Sequence, residues 1–271
     1  MGLLDSCATF IAVLSACFGI IYTQDFEWSK ISLSIISKSN LVDDVVFSAV
    51  RLSFALVVLI TLILSISDEG LHLEIMNREG KPKPLHVKGF GRLTFFTYWA
   101  WIIEGIYFLI TGILSLLSYL EIDLSQSLDS RYLSLLLRAT WSLYEVNFAL
   151  AYLVSIIVTY VLIGTHIKDG ISTDPFFKPI ALLTHNANVV FMASEFILNQ
   201  LHFSRFHFVF AILFGLSYTL FSWYYYTRIG VFYYFFLDYA RKDAPYLYIL
   251  VMSVVSISIL YIHSVCNISL T

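Results

Sequence analysis

The chain has 271 residues, of which 59% are hydrophobic and 13% charged, with a formal net charge of -3. A soluble domain of this length has too little interior to hide that much apolar side chain, so the composition excludes an ordinary water-soluble fold and points to a bilayer. The slightly acidic balance, with no basic stripe interleaved with aromatics, argues against nucleic acid as a partner.

Along the chain, Met1-Gly2 followed by Ser6 fits a myristoylation pattern, and Leu14-Ser15-Ala16-Cys17 resembles a lipoprotein cleavage site without its basic leader. A multi-spanning chain gains little from an acyl anchor. The run Thr9 to Tyr22, extended by Leu3 and Leu4, is a candidate span near 3-22. Six further runs reach about 20 residues, the length that crosses roughly 30 Å of hydrocarbon as a helix. They lie near 46-66, 93-119, 139-164, 179-201, 206-227 and 244-265. The fold class is therefore all-α, a polytopic transmembrane helix bundle of six core spans with a short N-terminal seventh as a candidate. The whole of 1-271 reads as one integral membrane domain. Cys7, Cys17 and Cys266 have no ligand-type spacing, so they read as packing residues; no metal or other cofactor is expected.

With seven spans, Arg78, Lys81, Lys83, Lys88 and Arg92 in the loop 67-92 share one side with Lys168, Lys178, Arg228, Arg241 and Lys242. The positive-inside rule then puts the N-terminus and these loops in the cytosol and the C-terminus outside or in a lumen. The spans 93-119 and 179-201 both begin on the basic side. At the helical rise, Thr97 lies about 6 Å into the first and His185 about 9 Å into the second.

Ionisable groups in hydrocarbon are costly, and they normally face the bundle interior and pair. Arg51, Glu145 and Glu195 fall at similar depth from the other side and are expected to form one charge cluster, a clamp on three helices or a proton or ion relay. Glu104 follows Thr97 by seven residues, which puts both on one helix face, and Asn188 lies one turn beyond His185. An intramembrane His is commonly a satisfied interhelical donor, and a Thr one turn into a span commonly bonds the carbonyl four residues back, here that of Leu93. No HExxH or repeated His box is present. Gly215-Leu216-Ser217 with His263 is a poor match to an intramembrane serine protease, because the two differ in depth by more than about 10 Å.

Phe95-Phe96-Thr97-Tyr98, the following Ile106-Tyr107-Phe108, and His185 with Glu195 ten residues on resemble the androgen-induced protein and androgen-dependent TFPI-regulating protein family. The likeness continues through Tyr218, Gly230, Tyr234, Phe236, Leu237 and Asp238, and covers roughly 46-265. Thr97 to Leu114, with Trp99 and Trp101, also looks like the related rolling stone proteins, membrane proteins of cell fusion. The chain departs from the family at Leu182, where the family has a second His, and at Phe235, where it has Pro. The resemblance implies an intramembrane hydrolase of fatty acid esters of hydroxy fatty acids, with Thr97 as nucleophile and His185 as its partner. It also implies two cytosolic termini, against the charge-based orientation.

In such a mechanism His185 takes the Thr97 proton and Glu104 stabilises the imidazolium, while the Asn188 amide and Tyr98 hydroxyl are candidate oxyanion donors. Thr97 and His185 are thus the catalytic candidates, with Glu104, Asn188 and Tyr98 as a supporting polar pocket. Membrane lipids are the expected partners, with a lipid ester as substrate. The rival readings are a non-catalytic scaffold in adhesion or fusion, or a small transporter using the buried Glu residues. An endomembrane such as the endoplasmic reticulum is the default location. The sequon Asn267-Ile268-Ser269 lies too close to the last span to report topology.

Overall fold

The computed structural model describes residues 2–122, 124 and 128–268, with side chains to 264; the Cys266 side chain and Ser269 of the sequon lie outside these described residues. The helices are α1 (Leu3–Thr23), α2 (Leu33–Ser37), α3 (Asp44–Ser67), α4 (Phe96–Tyr119), α5 (Ser130–Ile156), α6 (Ile163–Asp169), α7 (Pro179–Leu182), α8 (Asn188–Leu198), α9 (Phe208–Ile229) and α10 (Ala244–Ile268). A π-helical turn over Ile157–Leu162 joins α5 to α6, and another over Leu183–Ala187 joins α7 to α8. Both joined pairs therefore read as single long helices with one widened turn. Among the described residues, seven helices are long and apolar enough to cross a membrane: α1, α3, α4, Ser130–Asp169, Pro179–Leu198, α9 and Ala244–Ser264.

The helix boundaries have local causes. Asp5 and Asp44 sit in the first turns of α1 and α3, where a negative charge complements the helix dipole. Gly170 and Gly230 end α6 and α9 in the left-handed conformation, with φ of 69° and 71°. Glycine adopts that cap with little strain. Two boundaries depart from the apolar runs. The fourth span is 40 residues long against the expected 139-164, because helix continues through Arg131, Arg138 and Lys168 beyond the apolar stretch. The third begins at Phe96 rather than 93, because Gly89–Thr94 forms a 3-10 turn instead.

The chain packs as two compact units. One comprises Glu27–Asp68 and Gly89–Ser204, and the other Met1–Phe26, Glu69–Lys88 and Arg205–Thr271. In the first, α3 and α4 run antiparallel at close range. A Cβ at Gly105 would stand 2.6 Å from Val58 Cγ1, and one at Gly112 would stand 2.7 Å from Leu52 Cδ2. The Ser48 hydroxyl donates to the Gly112 carbonyl at 2.9 Å. In lipid, where helix pairing gains no hydrophobic drive, small residues that permit backbone contact and interhelical hydrogen bonds hold such a pair.

The second unit contains α1, α9, α10 and a β-hairpin. Strand β1 (Leu71–Met76) pairs antiparallel with β2 (Pro82–Val87), in register Leu71↔Val87 through Met76↔Pro82. Asn77 closes the turn, its Oδ1 accepting from the N–H groups of Glu79 and Lys81. The Ser6 hydroxyl on α1 donates to the Tyr239 carbonyl, and Trp223 on α9 packs against Phe10 with ring centroids 5.6 Å apart.

Candidate functional site

The first unit carries a continuous polar stripe on one face of α4. Thr97, Trp101, Glu104, Tyr107, Thr111 and Ser115 recur at helical spacing, and all are buried. Helix α5 faces it antiparallel, Tyr107 meeting Tyr144 with ring centroids 6.1 Å apart while the Asn147 amide donates to the Ile103 carbonyl at 3.4 Å. The π-helical turn with His185 packs against both α4 and α5. These contacts divide the stripe into two halves of different character.

The half from Tyr107 to Ser115 is saturated with hydrogen bonds. Arg51 Nε and Nη2 donate to the two carboxylate oxygens of Glu195 at 3.1 and 2.5 Å. Its Nη1 donates to the Ile36 carbonyl and to Ser115 Oγ, each at 2.7 Å, and the guanidinium lies 3.6 Å from the Phe47 ring centroid. The Tyr107 hydroxyl donates to Glu195 Oε1 at 2.7 Å, and the Asn199 amide adds a further donor at 3.3 Å. Five segments thus converge on one ion pair that is about 1% exposed. Glu145 is not among the partners of Arg51. Its Oε1 accepts from the Ser204 backbone N–H at 2.7 Å, so the expected three-member cluster is a pair, with Glu145 holding the 199–204 segment instead. The correction has a geometric cause. All three nitrogens of Arg51 are already directed at Glu195 and at acceptors on or beside α2 and α4.

The half from Thr97 to Glu104 is unsaturated. Among the described residues, the Thr97 hydroxyl makes no hydrogen bond, and the Leu93 carbonyl expected to receive it instead accepts from Trp99 Nε1 at 2.9 Å. The buried Trp101 Nε1, Glu104 Oε1, Asn147 Oδ1 and His185 Nδ1 also have no hydrogen-bond partner there. Buried polar atoms are nearly always paired, with protein or with water, so these four atoms on one face and its neighbours are the ones open to a water or a ligand. His185 lies in the π-helical turn, a distortion that recurs at functional sites, with its ring centroid 6.4 Å from that of Phe176. Thr97 and His185 are not hydrogen-bonded to each other.

Two supporting candidates have other engagements. The Tyr98 hydroxyl donates to Ser65 Oγ at 2.9 Å on α3 and accepts from Arg92, which pairs with Asp68 at 2.7 Å. Its one proton is therefore committed, which corrects its assignment as an oxyanion donor. Asn188 Oδ1 accepts the Val189 N–H at 2.8 Å at the start of α8, leaving its NH₂ group to act outward. Trp101 and Asn147 are the residues that the sequence reading did not select. Trp101 was legible, four residues after Thr97 and three before Glu104 on the same face; Asn147 was not, because only the α4–α5 register brings it there.

Seven apolar helices with a buried polar seam define a multi-pass membrane helical protein. No family model, curated protein or solved structure matches the chain.

Proposed function

We propose that the chain is an intramembrane hydrolase of lipid esters, such as fatty acid esters of hydroxy fatty acids, with Thr97 as nucleophile and His185 as general base. The observation that carries this reading is the unsaturated half of the α4 stripe: a Thr97 hydroxyl with no hydrogen bond among the described residues, and a buried, unpartnered Nδ1 on a His in a π-helical turn packed against the same helix. A structural His would be expected to have a partner.

In the proposed cycle, His185 takes the Thr97 proton as Oγ1 bonds to the ester carbonyl carbon. The C=O electrons move to oxygen, and on collapse the alcohol leaves with the proton from His185. Water then attacks the acyl-threonine by the same route, releasing the acid and restoring the hydroxyl. Trp101 Nε1–H replaces Tyr98 as the candidate oxyanion donor, since it is buried and uncommitted. Hydrogen bonds between nucleophile and base tighten when substrate binds, so their absence here is compatible with the role.

The test is labelling of the purified protein with a fluorophosphonate probe. Loss of labelling in both Thr97→Ala and His185→Ala, with protein abundance unchanged, supports the mechanism; labelling retained in either excludes it. A scaffold reading draws on the saturated Arg51–Glu195 network, which has the marks of a clamp. A transporter reading draws on Glu104, and it predicts flux lost in Glu104→Gln with no covalent adduct. An endomembrane such as the endoplasmic reticulum is the compartment that goes with the lipid reading.

A further inference from the structure

In the second unit, the turn of the β-hairpin and the segment between α9 and α10 enclose a cavity of about 420 Å³, with Arg78, Tyr226, Phe232, Phe235, Asp238 and Arg241 among its lining. One wall is a cation held from several sides. The Arg78 guanidinium carbon lies 4.4 Å from the Tyr226 ring centroid, 4.8 Å from that of Tyr239 and 5.6 Å from that of Phe232. Its Nε and Nη2 donate to the Asp238 carboxylate and the guanidinium also hydrogen-bonds the Tyr239 side chain, while Nη1 stays outside the Asp238 pair.

Arg241 provides a second cation. It stacks on Phe235 at 5.2 Å and pairs through Nε and Nη2 with Asp243, which again leaves Nη1 outside the pair. Lys83 lies outside the lining but beside it, donating to the Ile229 carbonyl at 2.6 Å and standing 3.3 Å from where a Cβ on Gly230 would lie. Hydrogen bonding to Asp238 and to Asp243 raises the pKa of Arg78 and Arg241 respectively, and a guanidinium is charged at any physiological pH in any case.

The cavity adjoins the end of α9 at Ile229 and the start of α10 at Ala244, where the apolar spans give way to polar sequence. In a bilayer that is the headgroup level, and aromatic residues are the usual lining there. Fixed cations beside an apolar aromatic wall match an anion attached to an apolar body. A free phosphate would use the cations and leave the wall unused.

We propose that this cavity binds the phosphate of an anionic glycerophospholipid, with Arg78 as the preorganised cation, Arg241 as the adaptable one, and the aromatic wall receiving the glycerol end of the lipid. The site is independent of the Thr97 and His185 assignment.

The experiment is native mass spectrometry of the delipidated full-length protein, titrated separately with phosphatidic acid, phosphatidylcholine and glycerol phosphate. The expected result is tightest binding of phosphatidic acid. Arg241→Gln should weaken it about tenfold, the loss of roughly one charge-assisted hydrogen bond, while Lys168→Gln in another basic loop leaves it unchanged. The Arg241 side chain is 40% exposed and its ion pair is with Asp243 two residues on, so the variant should keep nearly the wild-type unfolding temperature. Equal binding of phosphatidylcholine, or equal loss in both variants, would overturn the site in favour of diffuse surface attraction. Equal binding of glycerol phosphate would overturn the lipid assignment in favour of a soluble phosphorylated ligand.

Discussion

Arg51 on α3 and Glu195 on α8 face each other as a two-pronged pair, and every oxygen and nitrogen of the two groups has a hydrogen-bond partner. Neither side chain is more than 1% exposed. Removing one member strands the other charge inside hydrocarbon, whereas removing both does not. Arg51→Met should therefore lower stability by about 3–5 kcal/mol, and Arg51→Met with Glu195→Leu should recover much of that loss. Thermal unfolding in detergent measures both; a single variant no worse than the double would show that the pair is not a clamp.

The α3–α4 contact depends on the absence of two methyl groups. Gly105→Ala and Gly112→Ala push a carbon into Val58 and Leu52, and each should cost about 1–3 kcal/mol by overpacking. Gly215→Ala meets nothing within 4 Å and should be neutral or slightly stabilising. Equal unfolding temperatures across the three variants would contradict the close approach.

Trp101→Phe keeps a six-membered aromatic ring in this buried position but removes the pyrrole part of the indole and its N–H. If that group stabilises the oxyanion, turnover of a lipid ester should fall about 100-fold with abundance unchanged. Normal turnover would exclude Trp101 from the role and leave the Asn188 NH₂ group as the next donor to test.

Outside the spans, the Asp243 carboxyl is held below the ordinary aspartate range, chiefly by its hydrogen bonds from Arg241. A depressed carboxylate pKa means that the pair stabilises the loop above the unfolded value and loses this as pH falls through the folded one. Carbon-detected NMR of labelled Asp243 should show the low midpoint, and Arg241→Gln should raise it. Because the group is well exposed, solvent screening keeps the effect on global stability small.

If all seven candidate helices cross, the two ends of the chain lie on opposite faces of the membrane. Tags at the N- and C-termini should therefore differ in protease accessibility in sealed vesicles, with the N-terminal tag on the side of Lys83 and Lys168. Equal accessibility would mean that α1 lies along the membrane surface rather than across it.

The helical class and the seven spans were legible because a bilayer imposes one length and one composition on every crossing, and Leu3 to Thr23 or Asp44 to Ser67 satisfies both without reference to neighbours. The hairpin was missed although its signals were present: Leu71, Leu73 and Ile75 alternate with polar residues, and Asn77 to Gly80 carries a turn. A reading that counted only charges across 67-92 passed over that period of two.

What the sequence determined by itself was that Arg51, Glu104, Glu145 and Glu195 are buried, since a charged group inside an apolar run is costly unless it faces inward. It did not determine which of them meet. Depth along separate helices placed Glu145 level with Arg51 and Glu195, but depth is one coordinate, and helix rotation and neighbour choice supply the others. Only the tertiary structure turned Glu145 toward Ser204, aimed the Tyr98 hydroxyl at Ser65, and brought Asn147 to the Ile103 carbonyl beside Glu104. The reason is physical: burial is a property of each residue's own segment, whereas pairing depends on contacts between helices distant in sequence, such as the approach of α4 at Gly105 and Gly112 to Val58 and Leu52 on α3.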